Sequence, residues 1–318
     1  MAHLYEAVGV AEPNTTVATA SAAQTGSHDT ATLDRARSFA MTVDVEDFFQ
    51  VWAFSDVVSR KSWDGFALRV EDNTRRVLDL FDVSGAKATF FILGWVAEKT
   101  PALVREIAAR GHEIASHGYD HQKVFDQSEE QFCDDVRRSK LILEDLSGAP
   151  VTGYRAPGFS INAQTPFAYE VLSELDFAYS SSTHPIAHDH YGDPQGERSA
   201  FRPLASRSLI EAPVATAPIF NRRVSAAGGG WFRAFPYGVS RRLLRRARET
   251  SSGPVVFYFH PWEIDPGQPR IAGAKLKARL RHYLNLDSME GKLARLLDAY
   301  PWSRLDDALG VTELQAAA

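Results

Sequence analysis

Seven residues of this 318-residue chain could act together on a polar bond. They are Asp44, Glu46 and Asp47 in "TVDVEDFF", His117 and His121 in "SHGYDH", Arg155 in "YRAPGFS" and His260 in "FYFHPWE". Two imidazoles and a carboxylate are a common way to hold a divalent metal with a coordination position left open. Water in that position ionises near neutrality. Hydrolysis also needs a base for the water proton and an acid for the leaving group, and the set holds a surplus carboxylate and a third histidine for those tasks. On their own His117 and His121 read more readily as solvated or structural; the other residues turn the pair into half of a metal site.

These residues meet only if the elements that carry them run side by side. Phe39, Met41 and Val43 alternate in a β-type run with acids at its end. "KATFFILGWV" reads as one continuous apolar strand, buried on both faces. "HEIASH", "VTGYRAP", "FAYSSS" and "PVVFYFHPWE" read as further strands. Helical spacing at Val77, Leu78 and Phe81 separates the first two. Thr100 and Pro101 open the next helix and Gly111 closes it. Thr165 and Pro166 open another. Capping boxes at Ser128–Gln131 and Asp287–Glu290 start two more. The alternation predicts an α/β fold with a largely parallel sheet, and in such sheets functional groups gather at the C-terminal strand ends. Four predicted strand ends deliver the seven residues. Between 183 and 253 the alternation weakens into Pro, Gly and Arg, and an irregular region of that length usually builds a functional surface.

The bulk numbers narrow the class. Hydrophobic residues at 44% and charged residues at 24% are ordinary for a globular protein. A net charge of -5 gives no general attraction to nucleic acid. The single cysteine, Cys133, rules out an internal disulfide and a cysteine zinc site, and reads as an inert helix residue. No apolar run reaches the ~20 residues that cross a bilayer. Residues 1–37 lack the pattern of a secretory signal and are expected to be a mobile tail, as are 311–318. Cytoplasmic placement is the expectation. The basic stretch "RRLLRRAR" at 241–248 reads as a solvated helix face, with peripheral contact to anionic lipid or acidic glycan as the alternative.

In content and order, "TVDVEDFF", "SHGYDH", "YRAPGFS" and "FYFHPWE" resemble the successive motifs of polysaccharide deacetylases of NodB type, carbohydrate esterase family 4. The resemblance spans about residues 39 to 305. "YSSSTHPIAHDHYG", "AGGGWFRAFPYG" and "FYFHPWEIDPGQPRI" are similar to the deacetylases of exopolysaccharide loci associated with exosortase systems, which carry a C-terminal extension, here about 183–310. The resemblance implies a distorted (β/α)7 barrel forming one catalytic domain over 38–310. It also implies Zn²⁺ or another divalent transition metal, and removal of N-acetyl groups from amino sugars of a glycan. Asp44 matches the base, His117 and His121 the metal histidines, Arg155 the arginine that holds the base, and His260 the general acid.

Two departures from the family pattern stand out. The usual Asp-Asp-Gly of the first motif is "DVED" here, so the metal carboxylate is Glu46 or Asp47. Strand alternation puts Asp44 and Glu46 on one face and Asp47 on the other, whereas the longer arm of Glu46 needs a deeper site. Ser180 in "AYSSS" stands where an aspartate is common, which leaves the partner of His260 to come from elsewhere, with Asp176 a candidate. Tyr154, Pro157, Trp231 and Trp262, with Phe232 nearby, are candidates to line a sugar groove. Two rival functions fit the residues: a C–N hydrolase of small amides on the same scaffold, and a catalytically impaired glycan-binding scaffold.

Overall fold

The computed structural model describes residues 38–187 and 192–311. The expected tails lie outside these residues, except that Val311, assigned above to the second tail, is buried in the core.

β1 (Phe39–Val45) is buried at all seven positions, the burial expected of a central parallel strand covered on both faces. The chain continues through α1 (Val70–Ser84), β2 (Thr89–Ile92), α2 (Gly94–Lys99), α3 (Pro101–Ala109), β3 (Glu113–Ser116), α4 (Glu129–Ser147) and β4 (Gly153–Tyr154). Then follow α5 (Phe167–Glu174), β5 (Tyr179–Ser180), β6 (Ile210–Glu211), β7 (Thr216–Ile219), β8 (Arg222–Ser225), α6 (Gly229–Ala234) and α7 (Tyr237–Thr250). β9 (Val255–Phe259), α8 (Leu276–Tyr283), α9 (Leu286–Leu297), β10 (Trp302–Ser303) and α10 (Leu305–Leu309) complete it.

Seven strands pair in parallel in the order β9-β1-β2-β3-β4-β5-β6. β10 adds to the first residues of β1. A parallel bridge from Val214 to Val256 ties the chain after β6 back to β9, so the sheet curls into a distorted (β/α)7 barrel. β6, β9 and β10, all within 181–310, are strands of this same sheet, while β7 and β8 form a separate antiparallel hairpin.

Local chemistry sets the ends of these elements. α4 starts at the expected capping box: Ser128 Oγ accepts from Gln131 N at 3.2 Å and Gln131 Oε1 from Ser128 N at 2.9 Å. The box expected at Asp287–Glu290 does not form; α9 starts two residues earlier, after Asn285 in the left-handed region. "KATFFILGWV" is not one strand. It stops at Ile92 because the amides of Gly94 and Trp95 bond to the carbonyls of Gly118 and Tyr119 instead of a neighbouring strand. A Cβ on residue 94 would lie 2.7 Å from the Tyr119 ring, so only glycine lets α2 begin against the loop that carries His117 and His121. In α7, Leu243, Leu244 and Ala247 face the core and Arg241, Arg242, Arg245 and Arg246 face out.

Candidate active site

β1 ends at Val45 and the chain turns at once, with Glu46 N donating to Asp44 O at 3.1 Å. That turn separates the three acids. Asp44 stays in the barrel mouth, where Oδ1 accepts from Arg155 Nη1 at 2.6 Å. Arg155, fully buried, also donates to Thr42 Oγ1 at 2.8 Å and to the carbonyl and hydroxyl of Ser181, each at 2.9 Å. Four of the guanidinium's five N–H groups are thus taken by fixed acceptors, and the carboxylate it holds has one settled orientation.

Glu46 turns toward the histidines. Its carboxylate, His117 and His121 each offer a ligand atom within 4.8 Å of the others. Glu46 Oε2 lies 2.8 Å from His121 Nε2, yet this buried oxygen has no aligned hydrogen bond. Three ligand atoms of these types within 4.8 Å of one another have the arrangement of ligands around a cation, so the residues fit a divalent metal. His117 Nδ1 sits 2.8 Å from the carbonyl oxygen of Arg155. A carbonyl only accepts, so Nδ1 carries the proton and Nε2 keeps its lone pair for a metal. Burial outweighs the nearby carboxylates and lowers the His117 pKa to about 4, so the ring is neutral at pH 7. For Glu46 burial pushes the other way, but the neighbouring imidazoles of His121 and His260 prevail and hold it at about 2.

The loop between the two histidines is clamped from α4. Asp135 Oδ2 accepts from Tyr119 N at 2.9 Å and Oδ1 from Asp120 N at 3.4 Å. Gly118 takes a φ of 73°, and His121 itself adopts the left-handed region at 56°, a conformation that persists only where surroundings enforce it.

Asp47, favoured above by its shorter arm, is not in the cluster. Its Oδ2 accepts from Arg69 N at 2.7 Å and Val70 N at 2.9 Å, and Oδ1 from Phe48 N at 2.8 Å. The turn after Val45 points Asp47 away from the histidines, where it satisfies the free amides at the start of α1. Burial raises its pKa against those bonds.

His260 follows β9. Its Nε2 lies 3.5 Å from Glu46 Oε1 and 4.0 Å from Asp44 Oδ2. Its Nδ1 and its backbone amide both meet Glu263 Oε1, at 2.8 and 3.0 Å. Burial disfavours the imidazolium, but Glu46, Glu263 and Asp44 raise the pKa to about 9. Glu263 in turn accepts from Arg233 Nε at 2.6 Å, and Arg233 donates to the carbonyls of His282 and Leu284 at 2.8 and 2.6 Å. A Cβ on Gly229 would stand 1.6 Å from Glu263 Oε1, so glycine is required there. Asp176 does not orient His260. It is exposed in the turn before β5, at the strand's N-terminal end. Glu263 and Arg233 are absent from the sequence reading, although His260 and Glu263 in "HPWE" stand in the register of a capping box, a signal that could have found the pair.

The aromatic candidates are placed differently from expectation. Tyr154 is core, 1% exposed, edge-on to Phe132 and Phe177 at 5.8 Å. Its strand position faces it away from the mouth. Phe232 is buried against Phe257. Trp262 is 5% exposed, stacked between His260 at 5.1 Å and His282 at 4.2 Å, and its Nε1 donates to Glu46 Oε1 at 3.3 Å. It backs the site rather than lining a groove. Pro157 is buried within van der Waals reach of a Cβ built on Gly118. Trp231 is partly exposed on α6, 5.6 Å from Phe235.

Residues 61–179 match the family model described as polysaccharide deacetylase. Over those residues the chain carries a polysaccharide deacetylase domain, NodB type, carbohydrate esterase family 4. Residues 181–310, which include His260, match a second model, described as a domain of unknown function (DUF3473). A peptidoglycan-N-acetylglucosamine deacetylase of Bacillus cereus is 36% identical over 84 residues, 26% of this chain and 30% of that protein. A peptidoglycan deacetylase of Helicobacter pylori is 30% identical over 116 residues, 36% of this chain and 38% of that protein. The chain thus spans only 20 to 41% of the length of these and the other highly similar curated relatives. Among solved structures, a Mycobacterium smegmatis protein assigned as a polysaccharide deacetylase superposes with a TM-score of 0.56 at 21% identity, covering 88% of this chain and 91% of that one. PuuE allantoinase superposes with 0.55 at 14% identity, covering 86% and 89%.

Proposed function

We propose that this chain is a metal-dependent N-deacetylase acting on an N-acetylated amino sugar of an exopolysaccharide or its precursor. One observation carries the reading: Glu46, His117 and His121 converge within 4.8 Å, with Asp44 and His260 beside them on separate strands. Zn²⁺ or another divalent transition metal bound there would polarise the acetyl carbonyl and the attacking water and offset the developing oxyanion. Arg155 holds Asp44 Oδ1, and Asp44 takes the water proton. His260 gives its Nε2 proton to the departing amine, leaving acetate and a free amino sugar. Glu263 fixes the His260 ring through Nδ1, and Arg233 keeps Glu263 ionised against burial.

The names of the curated relatives concern peptidoglycan. An exopolysaccharide or its lipid-linked precursor, handled in the cytoplasm, is favoured for this chain by the resemblance of its 183–310 strings to exopolysaccharide-locus deacetylases. The exposed arginines of α7 would meet an anionic surface by charge alone, because the apolar side of that helix is spent on the core. Among the described residues no helix is long and apolar enough to cross a membrane.

The small-amide reading draws on the equal likeness to an allantoinase, which speaks to the fold alone. The impaired-scaffold reading weakens, since Glu46 and Glu263 stand in for both altered motif positions. The test is acetate release from defined N-acetylated oligosaccharides, with and without chelator, beside hydrolysis of allantoin. Chelator-sensitive release with no allantoin turnover supports the proposal; allantoin turnover without acetate release overturns it.

A further inference from the structure

The segment between β1 and α1 folds over the barrel mouth and, with the loop after His121, encloses a pocket of about 280 Å³. Its lining includes Gln50, Trp52, Arg60, Trp63, His121 and Lys123, so it opens directly beside the metal-type cluster. The volume is near the lower end of small-molecule sites and suits a single monosaccharide unit. Two of its walls are aromatic, as a sugar ring requires.

Its polar groups are unevenly used. Arg60 is committed to Asp120, Nε to Oδ1 at 2.6 Å. Lys123 is not. It is 5% exposed, its ammonium lies 3.4 Å from the centroid of the Trp52 ring and 5.1 Å from that of Phe125, and among the described residues no carboxylate is recorded within 4.0 Å of it. Gln50 is 4% exposed; its Oε1 accepts from Asp47 N at 2.7 Å, which leaves Nε2 as a buried donor with no partner. A cation drawn partly out of water with only the rim carboxylate of Asp126 to balance it, and a buried amide without an acceptor, are each costly. Both costs are relieved by one acceptor carrying negative charge. Asp126, exposed at the rim, opposes a dianion more than a monoanion.

We infer that this pocket binds the carboxylate of a hexuronate-type sugar unit adjoining the N-acetylated unit presented to Glu46, His117 and His121. The glycan is therefore acidic, with the uronate against Lys123 and Gln50 and its ring beside Trp52. The inference takes from the deacetylase reading only which neighbouring unit the uronate adjoins; binding of the uronate itself is measured without turnover.

Binding of methyl β-D-glucuronide, methyl β-D-glucoside and glucose 1-phosphate to the full chain is measured by ligand-observed NMR titration. The glucuronide binds about tenfold or more tightly than the glucoside, a difference of ~1.4 kcal/mol. Lys123→Met abolishes that preference. Gln50→Glu, which keeps the acceptor for Asp47 N, reverses it and serves should the lysine variant fail to fold. Equal binding of glucuronide and glucoside overturns the inference, and so does tighter binding of the phosphate. Glucuronide preference in a chain that releases no acetate from any N-acetylated glycan sinks the deacetylase reading and leaves the pocket standing.

Discussion

At the residue scale the site divides labour by environment. Asp44 is held by a buried arginine, Glu46 by the pull of His121 and His260, and Asp47 by the amides of α1. Three substitutions therefore have three signatures. Glu46→Gln lowers metal content, read by plasma emission on the dialysed protein. Asp44→Asn keeps the metal and lowers turnover by roughly 10²–10⁴, the scale of a general base. Asp47→Asn keeps the metal and costs about 1–2 kcal/mol of stability in urea melts, the scale of a lost helix cap. Metal loss in Asp47→Asn with none in Glu46→Gln would reverse the ligand assignment. His260 has its own test. His260→Ala keeps the metal and loses most turnover on an N-acetyl amide, but loses far less on an activated acetate ester, whose leaving group needs no proton. Equal losses on both substrates count against an acid role.

At the scale of elements, two braces position these residues. The first joins α6 to the turn after β9 through Arg233 and Glu263, both essentially buried. Arg233→Met strips a buried carboxylate of its guanidinium, leaving it only His260, and destabilises by about 3–5 kcal/mol. The double variant Arg233→Met, Glu263→Met recovers most of that stability and does not recover turnover, because His260 Nδ1 has lost its acceptor. Recovery of both would reduce the pair to packing. The second brace is Asp135 of α4 beneath the His117–His121 loop. Burial raises its pKa to about 6, from an ordinary value of 3.8 in the unfolded chain. The folded state thus binds the proton more tightly. Its contribution to stability is fully present below pH 3.8 and is lost as pH rises through 6. Asp135→Asn does not titrate, so its stability relative to the parent, both in chelator, rises across pH 4 to 7 by up to roughly 3 kcal/mol. A flat difference across that range refutes the shift.

For the whole molecule, the barrel does not close without residues 181–310. β9 pairs with β1 along five residues, and the Val214–Val256 bridge joins the two edges of the sheet. A chain ending at Ser180 leaves β1 with an open apolar edge and no His260. It is expected to show no cooperative thermal transition by circular dichroism, whereas an independent 38–180 unit would melt as sharply as the full chain. The segment matched by the second family model is in this sense part of the same barrel, and His260, Glu263 and Arg233 all come from it.

Much of this was legible beforehand because it is local. Strand ends, the Ser128–Gln131 box and the Asp44, His117, His121, Arg155 and His260 positions follow from period, turn chemistry and short motifs, and each is encoded within a few residues. What the tertiary structure alone decided depends on contacts far apart along the chain. Whether Glu46 or Asp47 faces the histidines turns on the start of α1, more than twenty residues on, whose free amides claim Asp47. That Glu263 is the residue held against His260 turns on Arg233, thirty residues earlier, and on the space left by Gly229. The break in "KATFFILGWV" comes from carbonyls of the loop it meets. Sequence pattern records which side chains can bury or ligate; which of two equal carboxylates does so is settled by the partner that satisfies the other.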